Sequence, residues 1–342
     1  MKNKISRTIY GIFCLVAFLY SQNIHGQDPG FSQYMASPLS ISPALTGNFD
    51  ANWRATSVIR NQWTGIGAPY RTKTLSVESK IRNEHNEDYW GLGGMVLLDE
   101  AMDGIYKSTY ITLNAAYHLF LDDNGNALAA GLGYINNKTL INFTELTFDQ
   151  QLSNMGFNRA LPQGEPSLSN NPSFSSVCAG FMYSFSKDNI YANIGLSGYR
   201  FIKSKKSILD DATQYDSPRY AVHADLSTLL TERMNLSVSG LYTTQNGQSN
   251  TIFGGVFSFV HLAPDDLDVS KSLNLGAFYR LGNALIPYAG YEYKNFQVGI
   301  TYDINTGLSK TASLTSRTFE ISFTYKQSRQ DVSKAGKYHS PY

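Results

Sequence analysis

Residues 317–326 read Arg-Thr-Phe-Glu-Ile-Ser-Phe-Thr-Tyr-Lys, and apolar and polar side chains alternate along most of this stretch. Successive side chains of a β-strand point to opposite faces, so the pattern predicts a strand with one apolar face and one polar face. The apolar positions are Phe319, Ile321, Phe323 and Tyr325. The same alternation recurs at 190–197, 221–227 and 296–303, and no stretch of comparable length has a helical period.

About fourteen such segments follow one another from residue 53 onward. They are 53–60, 70–81, 89–98, 106–120, 126–135, 174–186, 189–202, 219–230, 233–244, 250–260, 271–281, 284–294, 295–304 and 317–326. Many approach the ~9–11 residues that a tilted strand needs to cross a bilayer. Aromatic residues recur near their ends, where membrane barrels place aromatic girdles. Ionisable groups lie on the polar faces, at Glu78, Lys80, His118, Asp225, Arg280 and Glu292.

These features predict an all-β fold, a transmembrane antiparallel β-barrel of about 14 strands that spans 53–326. A soluble β-sandwich also has alternating strands, but it requires neither the strand length nor the aromatic ends. The connections support the barrel, because the longest ones, 136–173, 203–218 and 305–316, all follow odd-numbered strands. Barrels have short periplasmic turns and long outer loops, so both ends of the barrel are expected in the periplasm. Connections 261–270 and 281–283 depart from this rule.

The first residues predict a secretory signal peptide over 1–26. Lys2, Lys4 and Arg7 precede an apolar run at 10–20, and a cleavage point is expected around residues 26 and 27. A membrane anchor is the alternative, but the run is about half of the ~20 residues that a spanning helix needs. Cys14 would leave with the signal peptide, so the mature chain would keep a single cysteine and no disulfide framework.

Residues 27–52 do not alternate and form a turn-rich lead-in. The segment contains Pro29, Pro38, Pro43 and Gly47, which favour turns, and its many apolar side chains are unusual for a solvated linker. We expect it to pack at the periplasmic mouth of the barrel; a loosely bound leader is the alternative. The polar residues 327–342 are expected to form a periplasmic tail.

Composition and motifs argue against several functional classes. The formal net charge is +1, so a broad nucleic-acid-binding surface is not expected. The glycines at 91–94 and 131–133 lie inside strand patterns with no helix following, so they predict no nucleotide site. His223 and Asp225 share a strand face, but no sequence signal marks an activated nucleophile. We therefore predict no enzyme activity, no cofactor and no metal.

Two stretches resemble the PorP/SprF family of type IX secretion proteins. The first is 28–47, Asp-Pro-Gly-Phe-Ser-Gln-Tyr-Met-Ala-Ser-Pro-Leu-Ser-Ile-Ser-Pro-Ala-Leu-Thr-Gly, which is similar to the mature N-terminus of that family. The second is 57–72, which contains Arg-Asn-Gln-Trp at 60–63 and resembles the family's first hairpin. Residues 194–199 resemble its mid-barrel strand. Ser37 and Ser42 depart from the pattern, since asparagine usually precedes the two prolines.

The resemblance implies a non-enzymatic component of the type IX system in the outer membrane of Bacteroidota-type bacteria. Its implied partners are the secretion machinery, including periplasmic ring and peptidoglycan-linked components, cargo proteins such as gliding adhesins, and outer-membrane lipid. The implied role is export or surface attachment of that cargo, with loops 136–173 and 203–218 facing it. A channel or transporter for a small or apolar solute is the alternative.

Twelve residues of the resembling stretches are the candidate partner-binding or shape-determining positions. Arg60, with Asn61 and Gln62 beside it, could tie the first loop to the lumen or to a partner, and a purely structural role is an equal alternative. The full set is Phe31, Gln33, Tyr34, Pro38, Pro43, Gly47, Arg60, Asn61, Gln62, Trp63, Pro69 and Tyr70.

Overall fold

The structure is a computed structural model that describes residues 28–65, 67–82, 87–154, 156–162, 164, 173–202, 217–261, 271–307 and 317–327. The predicted signal peptide, the tail beyond residue 327 and most of the charged loop 203–218 lie outside these residues. Within them, no helix is long and apolar enough to cross a membrane.

Fourteen antiparallel strands form a closed barrel, which confirms the predicted fold class. Each strand pairs with its neighbour along the chain, except that β5 pairs with β8 and β1 closes the barrel against β16. A separate two-stranded hairpin, β6 with β7, lies in the connection after β5. The strands are β1 (Trp53–Thr64), β2 (Tyr70–Arg82), β3 (Tyr89–Ala101), β4 (Tyr106–Phe120), β5 (Ala127–Ile141), β6 (Leu152–Ser153), β7 (Gly156–Phe157), β8 (Ser173–Lys187), β9 (Ile190–Tyr199), β10 (Arg219–Thr231), β11 (Met234–Gln245), β12 (Gln248–His261), β13 (Lys271–Arg280), β14 (Ala284–Tyr293), β15 (Phe296–Asn305) and β16 (Arg317–Gln327).

The two faces of each strand differ as the alternation predicted. On β2, Leu75 and Val77 are 57% and 51% exposed on the outside, whereas Thr74, Ser76 and Glu78 are buried inside. An apolar outer surface and a polar interior are typical of barrels that span a bilayer.

Two predicted strands end at least four residues later than expected. β1 continues past residue 60 to Thr64, because an irregularity between Asn61 and Thr64 lets the pairing with β16 resume. Trp63, at this point, has a φ of 60°. β5 continues from the predicted residue 135 to residue 141, with the polar side chain of Asn137 turned inward to donate a hydrogen bond to Ser108.

Residues 28–52, here called the luminal segment, occupy the interior of the barrel. Three short 3-10 helices shape it, Tyr34–Ala36, Pro38–Ser40 and Pro43–Leu45. Proline begins two of them, as expected for a residue whose φ is fixed and whose missing N–H needs no partner. Gly47, with a φ of 81°, follows the third helix where the chain turns towards β1.

The luminal segment runs along the barrel interior, which differs from the expected packing at one mouth. We call the end where β1 begins and β16 finishes the terminal end, and the other the opposite end. Asp28 lies beside Arg219 and Gln245, which are at the opposite end. Gly47 donates to Glu78 near the terminal end. The segment extends this far because the polar wall offers hydrogen-bond partners at every level of the lumen.

Apolar side chains of the luminal segment form part of the main core. Tyr34, Ile41, Ala44 and Leu45 cluster with buried wall residues, and the ring of Tyr34 meets Phe278 edge-on at 6.1 Å. Fully burying one large apolar side chain stabilises a fold by about 1.5–3 kcal/mol. The core of this barrel therefore forms between the luminal segment, which belongs to none of its strands, and inward-facing apolar residues of the wall.

Candidate functional site

Three wall glycines allow the backbone of the luminal segment to touch the barrel wall. A Cβ at Gly91 would lie 2.0 Å from the carbonyl oxygen of Thr46, and one at Gly131 would lie 2.4 Å from the carbonyl carbon of Pro43. A Cβ at Gly180 would lie 2.4 Å from the Ser42 hydroxyl. The glycines of β3, β5 and β8 therefore act as contact surfaces for another part of the chain, as glycine often does inside strands.

Wall side chains satisfy much of the segment's backbone. Irregular backbone inside a barrel needs such partners, because buried polar groups without hydrogen bonds are costly. Besides the Gly30 carbonyl described below, four carbonyl oxygens are held in this way. Ser197 donates to Ile41 at 2.6 Å, Tyr199 to Leu39 at 2.9 Å and Arg219 to Ser40 at 2.6 Å, while His118 Nε2 lies 2.9 Å from the Thr46 oxygen.

Glu320 of β16 holds two consecutive backbone N–H groups of the luminal segment. Its two carboxylate oxygens accept from Ser32 at 2.7 Å and from Gln33 at 2.8 Å. Arg60 of β1 donates to the same carboxylate at 3.0 Å and to the Gly30 carbonyl at 2.6 Å. Glu320 is 0% exposed, so these charge-assisted bonds form away from water.

Arg60 and Glu320 are directly opposite each other where β1 pairs with β16. We call this pairing the seam, since it closes the barrel. A second ion pair adjoins it, because Arg280 donates to Asp303 at 2.8 Å and Asp303 lies 3.8 Å from Arg60. Ser32 accepts from Arg280 and donates to Asp303. The four charged groups, here called the seam cluster, balance one another and surround the start of the luminal segment.

A further buried ion pair holds the segment near the terminal end. Arg54 and Glu78 are opposed on β1 and β2, with a nitrogen–oxygen distance of 2.6 Å. Glu78 also accepts from the backbone of Gly47 at 3.1 Å. The ring of Phe49 lies 4.5 Å from the guanidinium of Arg54 and 5.1 Å from the ammonium of Lys80, within cation–π range.

At the opposite end, two arginines hold the first described residue of the segment. Arg200 donates to the Asp28 carboxylate, and Arg219 lies 3.8 Å from it. The backbone N–H of Asp28 donates to Gln245 at 2.9 Å. A cavity of 40 Å³ adjoins these groups and is also lined by Tyr110. It holds at most a few water molecules, at the roughly 10–15 Å³ that each needs on this measure.

The structure places the predicted lead-in residues together inside the lumen. Gln33 donates to the Glu320 carbonyl and to Thr301, and Tyr34 donates to Ser239 at 2.7 Å. The other predicted lead-in residues are also buried there, and they are Phe31, Pro38, Pro43 and Gly47.

The predicted hairpin residues separate into two groups. Arg60 points inward and joins the seam cluster, whereas Trp63 is 49% exposed and packs against Tyr70 at 6.0 Å. Asn61, Gln62 and Pro69 are partly buried, at the opposite end of the barrel. The lumen therefore brings Arg60 together with the lead-in but leaves Trp63 outside.

Sequence reasoning did not single out the partners that give these residues their roles. Glu320 and Asp303 occupy polar-face positions that the alternating pattern does not distinguish from their neighbours, and no motif marks Arg200 or Arg219. Their positions on the polar face of the alternating pattern were a usable signal that these side chains point inward. Which charged side chains meet, however, depends on the register between strands. Glu78 and Arg280, noted for their polar faces, both prove to be members of buried ion pairs.

His223 and Asp225, the pair considered for catalysis, lie inside the same lumen. His223 is 0% exposed and Asp225 3%, on the inner face of β10. The described residues contain no group of three or more histidine, cysteine or acidic side chains placed to hold a metal ion. Cys178 is free and buried.

The structure is thus a barrel lined with polar side chains and filled by the luminal segment. Residues 23–325 match the family model described as the type IX secretion system membrane protein PorP/SprF. The chain belongs to this family. This PorP/SprF protein is thus an outer-membrane component of type IX secretion, as the sequence resemblance predicted. No curated protein matches the chain by sequence.

Solved barrels resemble this PorP/SprF protein in fold. The toluene transporter TbuX of Ralstonia pickettii has a TM-score of 0.50 at 9% identity, over 86% of this chain and 94% of that one. A Pseudomonas aeruginosa FadL homologue has a TM-score of 0.48 at 9% identity, over 83% and 92%. The similarity to TbuX supports the outer-membrane barrel fold. At 9% identity it gives no information about a transported substrate.

Proposed function

We propose that this PorP/SprF protein is a closed, non-enzymatic scaffold in the outer membrane that assists export or surface attachment of specific cargo proteins. The observation that carries the proposal is the filled lumen. Cargo therefore contacts the ends and loops of the barrel and does not pass through it. The barrel gives the secretion machinery a fixed position in the membrane and a surface to bind.

The way the luminal segment is held supports a closed state. Buried charges hold it at three levels, through Asp28, Glu320 and Glu78. Hydrogen bonds to a charged group contribute about 1.5–3 kcal/mol each, so displacing the segment from these carboxylates would be expensive. The cavity of 40 Å³ beside it is far too small for a polypeptide.

The connection between β5 and β8 offers the best-described candidate surface for cargo. Its β6–β7 hairpin carries Leu152, 65% exposed, and Phe157, 45% exposed. Large apolar side chains outside the bilayer-spanning strands are typical of sites that contact another protein. The predicted cargo-facing loop 136–173 includes this hairpin, and its start belongs to β5.

The alternative role as a solute channel requires an open path. The luminal segment occupies the path that a solute would take, and this favours the scaffold. The two roles also differ in what a deletion strain loses, because a channel would affect uptake and a scaffold would affect particular exported proteins.

The test compares surface and secreted proteomes of wild-type cells, a clean deletion strain and a complemented strain. We expect one or a few large cargo proteins to be lost or mislocalised. Complementation with Leu152→Ser and Phe157→Ser together should reproduce that loss. Leu121→Ser is the matched control, since Leu121 is 51% exposed in the β4–β5 turn at the terminal end.

An unchanged proteome with altered uptake of a solute would overturn the proposal in favour of a channel. Loss of cargo in the deletion strain but not in the hairpin variant would keep the scaffold role. It would, however, exclude the β6–β7 hairpin as the cargo surface.

A further inference from the structure

The luminal segment has a direction, and its first residues are far from the strand that it leads into. β1 starts at Trp53 at the terminal end. Asp28 lies against Arg200, just after β9, and against Arg219 at the start of β10, and both positions belong to the opposite end. The chain therefore crosses the lumen from the opposite end to the terminal end before it enters the barrel wall.

The segment contacts several levels of the lumen, and its path returns towards the opposite end at Leu39 and Ser40, which Tyr199 and Arg219 hold, before it reaches Gly47. Gly30 and Ser32 meet the seam cluster in the halves of β1 and β16 that are nearer the opposite end. Ser42 then touches Gly180 in the middle of β8, and Gly47 meets Glu78 near the end of β2. A leader packed only at the terminal mouth would reach neither the seam cluster nor the middle of β8.

The lengths of the connections orient the barrel in the membrane. The connections at the terminal end include the two-residue turns between β8 and β9, β10 and β11, and β14 and β15. The opposite end also has one two-residue turn, between β11 and β12, but it carries the long connections from β5 to β8, with its hairpin, and from β9 to β10. Outer-membrane barrels have short turns in the periplasm and longer loops outside, so the opposite end faces the cell exterior.

We propose that residues 28–30 form part of the cell-surface mouth of the barrel, held there by an arginine site whose resident ligand is the Asp28 carboxylate. Arg200 and Arg219 form the site, and aromatic rings pack over both guanidinium groups, Phe174 at 5.3 Å from Arg200 and Tyr199 at 4.3 Å from Arg219. The side chain of Arg200 is 4% exposed. With signal cleavage near residue 26, the start of the mature chain would be displayed outside the cell.

Site-specific labelling tests the placement. Gly30 is exposed and a Cβ there meets nothing within 4 Å, so Gly30→Cys introduces a thiol without disturbing the fold. The native Cys178 is 0% exposed and stays silent. Asn283→Cys, exposed in the turn between β13 and β14, is the control for the opposite end. Asp123→Cys, exposed between β4 and β5, is the control for the terminal end.

Intact cells are treated with a membrane-impermeant maleimide, and each variant is first shown to be folded by its heat-modifiable gel mobility. We expect Gly30→Cys to react like Asn283→Cys, while Asp123→Cys reacts only after the outer membrane is permeabilised. Reaction of Gly30→Cys only after permeabilisation would overturn the placement. Reaction of Asp123→Cys, but not Asn283→Cys, in intact cells would overturn the orientation.

The arginine site has its own test in the Gly30→Cys background. Asp28→Asn removes the charge that Arg200 holds, so the thiol at residue 30 should react at least about threefold faster. Asp123→Asn, an exposed acidic residue at the other end, is the matched control and should leave the rate unchanged. Equal rates for Asp28→Asn and its parent would overturn the role of Arg200 and Arg219 in holding this end.

Discussion

Glu320→Gln tests whether one buried carboxylate holds the luminal segment. The substitution keeps the side-chain shape but removes the charge that faces Arg60 at 3.0 Å. It also replaces one of the two oxygens that accept from Ser32 and Gln33 with an N–H donor. Hydrogen bonds to a charged group contribute about 1.5–3 kcal/mol each. Since these contributions do not add, we expect a loss of about 3–5 kcal/mol, the usual range for a broken buried ion pair.

The assay is reversible urea unfolding in lipid vesicles, followed by tryptophan fluorescence. Glu100→Gln is the matched control, because Glu100 pairs with Lys107 at 3.5 Å while their side chains are 32% and 51% exposed. An exposed pair of this kind contributes at most about 1 kcal/mol. If both variants lose the same free energy of unfolding, the anchoring role of Glu320 is refuted.

A second measurement distinguishes displacement of the luminal segment from destabilisation of the barrel itself. In planar bilayers, the wild-type protein should show little conductance, and Glu320→Gln should show more frequent openings, because the segment is held less tightly. A destabilised variant with wild-type conductance would mean that Glu320 supports the seam but does not hold the luminal segment.

Three further outcomes are expected. Gly131→Ala should lower the free energy of unfolding by about 1–3 kcal/mol through overpacking against the luminal backbone, whereas Gly94→Ala, whose Cβ would lie 3.5 Å from its nearest neighbour, should change it little; equal effects would contradict the close contact. Deleting residues 28–51 should convert the barrel into an open pore with steady conductance in planar bilayers, and a folded but non-conducting product would contradict the filled-lumen interpretation. Hydrogen bonds, led by the one from the Asn126 side chain, lower the pKa of Asp122 below its usual value. The β4–β5 turn should therefore be weakened only as pH falls below about 3.9. An NMR titration of Asp122 with a midpoint at or above that value would refute this.

The fold was predictable because alternation reports directly on the two environments of a strand. Thr74, Ser76 and Glu78 follow one another at every second position, which places them on one face, and their polarity assigns that face to the interior of a membrane barrel. The predicted end of β1 was too early, since the irregularity between Asn61 and Thr64 breaks the alternation before the pairing with β16 resumes at Thr64.

The site was only partly predictable, because it depends on contacts between distant parts of the chain. The prolines and apolar side chains of residues 28–52 predicted an ordered, packed segment, but an irregular segment carries no periodicity that reveals its path. The pairing of Arg60 with Glu320 depends on the register of strands 260 positions apart in sequence. Local sequence rules cannot supply that register, whereas resemblance to a family did draw attention to Arg60.

The location of the seam cluster has a consequence for the order of assembly. Arg60 belongs to the first strand of the barrel and Glu320 to the last, and the two meet only when the sheet closes on itself. The carboxylate that holds Ser32 and Gln33 is therefore supplied by the final strand. An unfinished or truncated barrel would lack this anchor, so sealing the lumen and completing the wall become one cooperative step in biogenesis.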